Sequence, residues 1–134
     1  MNSKRFLIIG GIILLGLAIA GTIIPRGEIL GDKWSMTKGE NIAHAILGIV
    51  ALAGAYFTSD KVQKMLTRAV AVVAIFFTLF GFLVAGTPPP NTFGVANLEN
   101  PYDNILHLVV GIWAGYVGFF TKAGIAKVNI NAKS

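Results

Sequence analysis

The sequence predicts an all-α membrane protein with four transmembrane helices arranged as two tandem helical hairpins. Only 13% of the 134 residues are charged, whereas soluble domains have about 25%. Four stretches lack Asp, Glu, Lys and Arg, and each can cross a bilayer core of about 30 Å at 1.5 Å per residue. The predicted spans are residues 6–24, 41–57, 69–86 and 104–121, within a single transmembrane domain, 1–134.

The first span has some features of a secretory signal peptide, because it follows Lys4-Arg5 and ends near Ala18-Ile19-Ala20. Its apolar run is longer than a typical signal core, so we expect a retained helix. Spans one and three end alike, since Leu15–Pro25 matches Phe80–Pro90 position by position. Both segments contain Gly and Pro, which favour a helix end.

Spans two and four begin with a longer repeat. The segment Thr37–Ala51 returns, without insertion or deletion, as Asn100–Ala114. This repeat divides the chain into units of about 6–57 and 69–120, each containing two spans. Units with an even number of spans share one orientation, so we expect a pseudo-twofold axis along the membrane normal.

Each copy of this repeat opens with the spacing of a helix-capping box. Thr37 precedes Glu40 by three residues, and Asn100 precedes Asp103 by three. In such a box the first side chain accepts a backbone N–H, and the acidic side chain caps the helix start in return. We therefore assign these four residues to helix capping rather than catalysis.

Polar and small residues recur at helical spacing inside both even spans and predict one inward-facing stripe on each. Glycine and alanine allow helices to approach closely in lipid, so we expect spans two and four to pack against each other. The two stripes are Asn41, His44, Gly48, Ala51 and Ala55, and Asn104, His107, Gly111, Ala114 and Gly118.

The basic residues lie mainly on one side of the predicted membrane. Eight of eleven fall before span one, between spans two and three, or after span four. The positive-inside rule then places both termini and the segment Asp60–Arg68 in the cytoplasm. We expect an integral membrane protein with this orientation. The same distribution explains the net charge of +5 without nucleic-acid binding.

At these motifs the chain resembles a family of small bacterial four-span membrane proteins known only as a domain of unknown function. The matching patterns are Asn41-x-x-His44-x-x-x-Gly48 and Asp103-Asn104-x-x-His107-Leu108-x-x-Gly111. The resemblance extends from about Asn41 to Phe120. It implies the four-span architecture, a location in the bacterial inner (plasma) membrane and no particular activity.

His44 and His107 are the only two histidines of the chain, and they allow three interpretations. They can act as interhelical glue through hydrogen bonds to Asn41 and Asn104. They can ligate a haem or (bacterio)chlorophyll from facing helices. They can also belong to a path for a small solute or a proton. We expect no cofactor and no metal ion, since a metal site normally needs a third ligand.

The sequence gives little support for an enzyme. It contains no cysteine, and it shows no phosphate loop and no metalloprotease motif. We therefore expect a non-enzymatic accessory or interaction subunit of a larger membrane complex, in contact with lipid and with other membrane protein subunits.

Overall fold

The computed structural model describes residues 1–32 and 34–121. Within these residues, four helices are long and apolar enough to span a membrane. The predicted all-α membrane fold is confirmed. Of the predicted cytoplasmic residues, Lys122, Lys127 and Lys133 lie outside the described residues. The helices are α1 (Ser3–Ile23), α2 (Lys38–Phe57), α3 (Asp60–Leu83) and α4 (Tyr102–Gly115), and α4 continues as a π-helical segment, Tyr116–Phe120.

Two long loops lie at the same end of the bundle. The first long loop (24–37) contains a 3-10 turn, Pro25–Gly27, and one short extended strand, β1 (Ile29–Asp32). The second long loop (84–101) contains a tight turn in which Thr92 pairs antiparallel with Ala96. At the opposite end, only residues 58 and 59 connect α2 to α3.

The helices pack mainly within hairpins: α1 against α2, and α3 against α4, with contacts between α1 and α3 joining the two halves. The prediction that spans two and four pack on each other is wrong. A Cβ placed on Gly48 would lie 2.8 Å from the side chain of Leu15, and one on Gly111 would lie 2.8 Å from Ile75. Small residues permit close approach to any neighbouring helix, and consecutive elements usually lie side by side.

α3 begins at Asp60 rather than at residue 69 and ends at Leu83 rather than at residue 86. The segment Asp60–Arg68 is therefore the first part of a helix and not a loop. The reason is that Gln63 and Thr67 are buried on the face that continues through Ala71 and Ala74. In the sequence this periodicity is obscured by the basic residues Lys61, Lys64 and Arg68.

The apolar core lies towards the end that carries the N-terminus. It is formed by residues from all four helices, and the ring of Trp113 packs edge-on against the ring of Phe6, with centroids 4.6 Å apart. Three of the six buried core residues are alanines, whose small side chains allow the helices to approach closely. The buried core residues are Phe6, Leu7, Ala55, Ala71, Ala114 and Val117.

The odd helices, α1 and α3, bury residues at matching positions. In each matching pair the residue of α3 is 60 positions after the residue of α1, and we call this constant offset the packing register. This packing register pairs Gly21 with Gly81, whereas the sequence match of Leu15–Pro25 with Phe80–Pro90 pairs Gly16 with Gly81. The helix ends follow the packing register as well, since α1 ends at Ile23 and α3 ends at Leu83. The sequence match therefore describes neither the ends of these helices nor the faces that they bury. The buried pairs are Leu7 and Thr67, Gly11 and Ala71, Ala18 and Thr78, and Gly21 and Gly81.

Candidate functional site

Hydrogen bonds between the two long loops and the starts of α2 and α4 form a polar cap on the loop end of the bundle. Three carboxylates accept these bonds, and two of them belong to the repeated capping motif. The polar cap comprises Trp34, Ser35, Glu40, Asn97, Glu99 and Asp103.

Glu40 caps its own helix and also holds the opposite loop. The Thr37 backbone N–H donates to Glu40 Oε2 at 2.5 Å, and the Glu40 N–H donates to Thr37 Oγ1 at 3.3 Å. This is the capping box that the sequence indicates. The second carboxylate oxygen, Oε1, accepts the backbone N–H of Asn97 at 3.0 Å, so α2 is tied to the second long loop.

Asp103 has the matching role at the start of α4. Its Oδ1 accepts the indole N–H of Trp34 from the first long loop at 2.7 Å, and its Oδ2 accepts the backbone N–H of Glu99 at 2.8 Å. Glu99 in turn accepts both the backbone N–H and the hydroxyl of Ser35, at 2.8 and 2.7 Å. Each carboxylate is therefore occupied by donors, which fits structural roles.

The two cross-ties are related by the internal repeat. Glu40 and Asp103 occupy equivalent positions of the repeat, and so do the residues that donate to them from the opposite loop, Asn97 and Trp34. Sequence reasoning identified the carboxylates but missed both donors. The equal spacing from Trp34 to Glu40 and from Asn97 to Asp103 was the available signal, although it does not reveal that one donor is an indole and the other a backbone amide.

The second predicted capping box is different from the one in the structure. α4 begins at Tyr102 with Pro101 as its N-cap, and no side chain caps it. Asn100 does not cap the helix, because its Oδ1 accepts the side-chain amide of Asn104 at 3.0 Å. Asp103 reaches back to the N–H of Glu99 instead of that of Asn100.

Asn41 and Asn104 pack against glycines of the neighbouring odd helix. The side-chain oxygen of Asn41 occupies the place that a Cβ on Gly21 would take, and that of Asn104 does the same at Gly81. Both oxygens are buried without a hydrogen-bond partner in the described residues, and Asn104 is 0% exposed. Contacts between carbonyl oxygens and Cα–H groups are common where helices approach this closely.

The two histidines lie half-buried on the inward stripes. His107 donates its Nδ1–H to the carbonyl oxygen of Asp103 at 2.7 Å, and its ring lies 5.6 Å from that of Phe77 on α3. The Nδ1 of His44 is buried without a partner in the described residues. The expected hydrogen bonds from these rings to Asn41 and Asn104 are not formed there, because the asparagines face the glycines.

The other predicted packing residues also face odd helices. Ala55 and Ala114 are buried in the core, and Ala51 packs against it while partly exposed. Gly118 lies against Arg68 of α3. Both stripes thus face inward, as expected, but each contacts α1 or α3.

The opposite end of the bundle is held by side chains of α3 for which the sequence predicted no such contacts. The buried Gln63 side chain donates to the carbonyl oxygens of Ala55 and Thr58, at 3.1 and 3.0 Å. Arg68 Nε donates to the Gly118 carbonyl at 2.8 Å. Carbonyls at helix C-termini lack intrahelical donors, and α3 supplies them for both even helices.

Residues 36–120 match the family described as Domain of unknown function (DUF4383). The match covers more than half of the chain, so the chain belongs to this family. The resemblance that rests on the paired Asn and His motifs is thereby confirmed at the level of the family.

Similarity also extends to a curated bacterial protein, the Tetracenomycin C resistance and export protein of Streptomyces glaucescens. The two are 32% identical over 108 residues, which is 81% of this chain and 18% of the relative. The chain thus spans less than one fifth of the length of that relative. No solved structure matches the chain.

Proposed function

We propose that this integral membrane protein is a non-enzymatic subunit of a larger bacterial plasma-membrane assembly that works in export or resistance. The observation that carries this proposal is the closed construction of the bundle. Hydrogen bonds between elements hold each end of the described bundle, and an apolar core fills the region between the helices near one of them.

We infer that this bundle acts through its outer surface. Each of the four helices exposes large apolar side chains, which pack equally well on lipid or on another membrane protein. Examples are Ile19 on α1, Ile46 on α2, Leu79 on α3 and Ile112 on α4. The carboxylates of the polar cap are engaged in bonds between elements, which argues against their use in acid–base chemistry.

The export class is supported by the resistance and export protein described above. That relative contains a region similar to most of this chain, together with a much longer remainder. A region similar to this chain can therefore form part of a larger resistance and export protein. We infer that the present chain contributes such a region by association.

Native mass spectrometry of the protein extracted into lipid nanodiscs at its natural expression level tests the subunit proposal. We expect a complex with at least one different membrane protein. A lone monomer or homodimer under every extraction condition would contradict it.

Export is tested separately by gene deletion, which should raise sensitivity to apolar toxic compounds. Unchanged sensitivity to a broad panel would remove the export part.

A second candidate function is cofactor binding by the histidine pair. The observation that favours it is the orientation of His107, whose Nδ1–H is bonded to a backbone carbonyl. Histidine ligands usually carry such a bond on the ring nitrogen that does not bind the metal, which leaves Nε2 available to the iron of a haem or the magnesium of a (bacterio)chlorophyll.

The absorption spectrum of the purified protein tests cofactor binding. Ligation predicts a visible band that His107→Gln and His44→Gln each remove. Without ligation, the spectrum has no such band. His107→Gln should then lower the free energy of unfolding by only about 0.5–1.5 kcal/mol, the usual net contribution of one hydrogen bond, because His107 bonds a carbonyl of its own helix.

A further inference from the structure

We infer that the turn Thr92–Ala96 in the second long loop inserts its exposed apolar side chains into the lipid of the adjacent leaflet and anchors the loop end of the bundle there. This inference is independent of the proposed function and of the direction in which the protein is inserted. It rests on the composition of the loop, its internal hydrogen bonds and the position of Phe93.

The second long loop is almost free of charge. Residues 84–98 contain no Asp, Glu, Lys or Arg. The first long loop is different, since it carries Arg26, Glu28, Asp32 and Lys33, and Arg26 and Glu28 pair at 3.7 Å on its surface. Charged side chains are costly to place in a bilayer, so of the two loops only the second has a composition suited to lipid.

The turn also satisfies much of its own backbone. The N–H of Thr92 donates to the carbonyl of Ala96, and the N–H groups of Val95 and Ala96 donate to the carbonyl of Thr92, each at 3.1 Å. At the base of the turn, the side chain of Asn91 bonds both the N–H and the carbonyl of Leu98, at 2.8 and 3.2 Å. The N–H groups of Phe93 and Gly94 make no backbone bond in the described residues. The backbone of the turn therefore stays at the headgroup boundary, where water is available, and only its apolar side chains enter the lipid.

The tip of this turn is apolar and exposed. Phe93 is 68% exposed and Val95 is 67% exposed. Phe93 also has a left-handed backbone, with a φ of 51°, which is unfavourable for a bulky residue. The fold thus holds an aromatic side chain outward at a strained position, although water would disfavour its exposure.

Phe93 continues the outward-facing surface of α3. Its ring stacks on that of Phe80, with centroids 5.2 Å apart and planes at 9°. Phe80 stacks on Phe76 in turn, at 5.7 Å, and Leu83 at the end of α3 is exposed. Because this row lies on a membrane-spanning helix, its continuation through Phe93 extends the lipid-contacting surface of the protein into the loop.

Spin labels at single cysteines test this inference in the cysteine-free chain. Phe93→Cys and Val95→Cys carry the label at the turn, and Leu30→Cys provides the matched control, since Leu30 is also an exposed apolar residue of a long loop. The probe membrane is a vesicle of phosphatidylcholine and phosphatidylglycerol. Collision of each label with oxygen, which concentrates in lipid, is compared with its collision with a water-soluble nickel chelate.

We expect labels at positions 93 and 95 to collide more with oxygen than with the chelate, and the label at position 30 to show the reverse. Preference for the chelate at both turn positions would overturn the inference. Labels accessible to neither agent would also overturn it, since the turn would then lie against protein. Two independent turn positions guard against a local effect of replacing Phe93, and circular dichroism verifies that each variant is helical.

Discussion

Single glycines determine how closely the helices of each hairpin approach. At Gly81 the space for a Cβ is taken by the side-chain oxygen of Asn104. Asn104 cannot easily turn away, because it is fully buried and its amide group donates to Asn100. Gly81→Ala should therefore lower the free energy of unfolding by about 1–3 kcal/mol, the usual cost of overpacking, as measured by unfolding in mixed micelles.

Gly16→Ala provides the matched control. Gly16 is the counterpart of Gly81 in the sequence repeat, but nothing lies within 4 Å of a Cβ at Gly16. Alanine is the better helix former, so this variant should be neutral or gain about 0.5–1 kcal/mol. Equal losses at both glycines would contradict the packing register that pairs Gly21, and not Gly16, with Gly81.

The inward direction of residues on α2 and α4 could be predicted from their spacing, but their contacts could not. Periodicity places Asn41 and Gly48 on one face and does not specify which helix covers that face. The hydrogen bond of His107 could not be predicted either, because the sequence offers two partners equally well, a backbone carbonyl of the same helix and the side chain of Asn104. Only the packing of Asn104 on Gly81 decides between them.

The polar cap connects the two helical hairpins, because each cross-tie joins one hairpin to the loop of the other. The Glu40 carboxylate accepts the backbone N–H groups of Thr37 and Asn97, one on each oxygen. Glu40→Gln keeps the size of the side chain but replaces one of these oxygens by an NH₂ group, so one backbone N–H loses its acceptor. An unpaired buried donor costs about 1–3 kcal/mol. We expect that loss in the free energy of unfolding, with faster amide hydrogen exchange in the second long loop.

The control for this variant is Glu28→Gln in the first long loop. Glu28 pairs with Arg26, whose side chain is 84% exposed, and exposed ion pairs contribute about 0–1 kcal/mol. This variant should be close to wild type in stability and in the exchange rate of the second long loop. Similar behaviour of the two variants would show that the cross-tie at Glu40 has no special role.

At the element scale, the sequence predicted four spans but not the start of α3. Lys61, Lys64 and Arg68 favoured a loop, yet α3 begins at Asp60. Their role becomes clear only with α4 in place, since Lys64 and Arg68 donate to carbonyls beyond the end of α4. Basic residues at a membrane boundary can thus belong to a helix as readily as to a connection.

For the whole molecule, composition was sufficient to predict a membrane bundle because four charge-free stretches leave no other way to bury the backbone. The function is not accessible in the same way. The surfaces through which a subunit would act, such as the exposed faces of α2 and α4, have the same Ile, Leu and Val whether they meet lipid or protein. Neither composition nor periodicity separates these two neighbours.

The orientation in the membrane is a further property of the whole molecule, and the charge distribution predicts that residues 58 and 59 lie in the cytoplasm. Ser59→Cys is a mild substitution, because the Ser59 side chain makes no capping hydrogen bond. In intact cells a membrane-impermeant thiol reagent should fail to label this variant, whereas it should label Leu30→Cys in the first long loop. Ser59→Cys should react only after the membrane is permeabilised, and Ser134→Cys should behave in the same way, because both termini are expected in the cytoplasm.

External labelling at residue 59 together with protection at residue 30 would show the reverse orientation. The polar cap and both histidines would then face the cytoplasm, where they would be accessible to cytoplasmic partners.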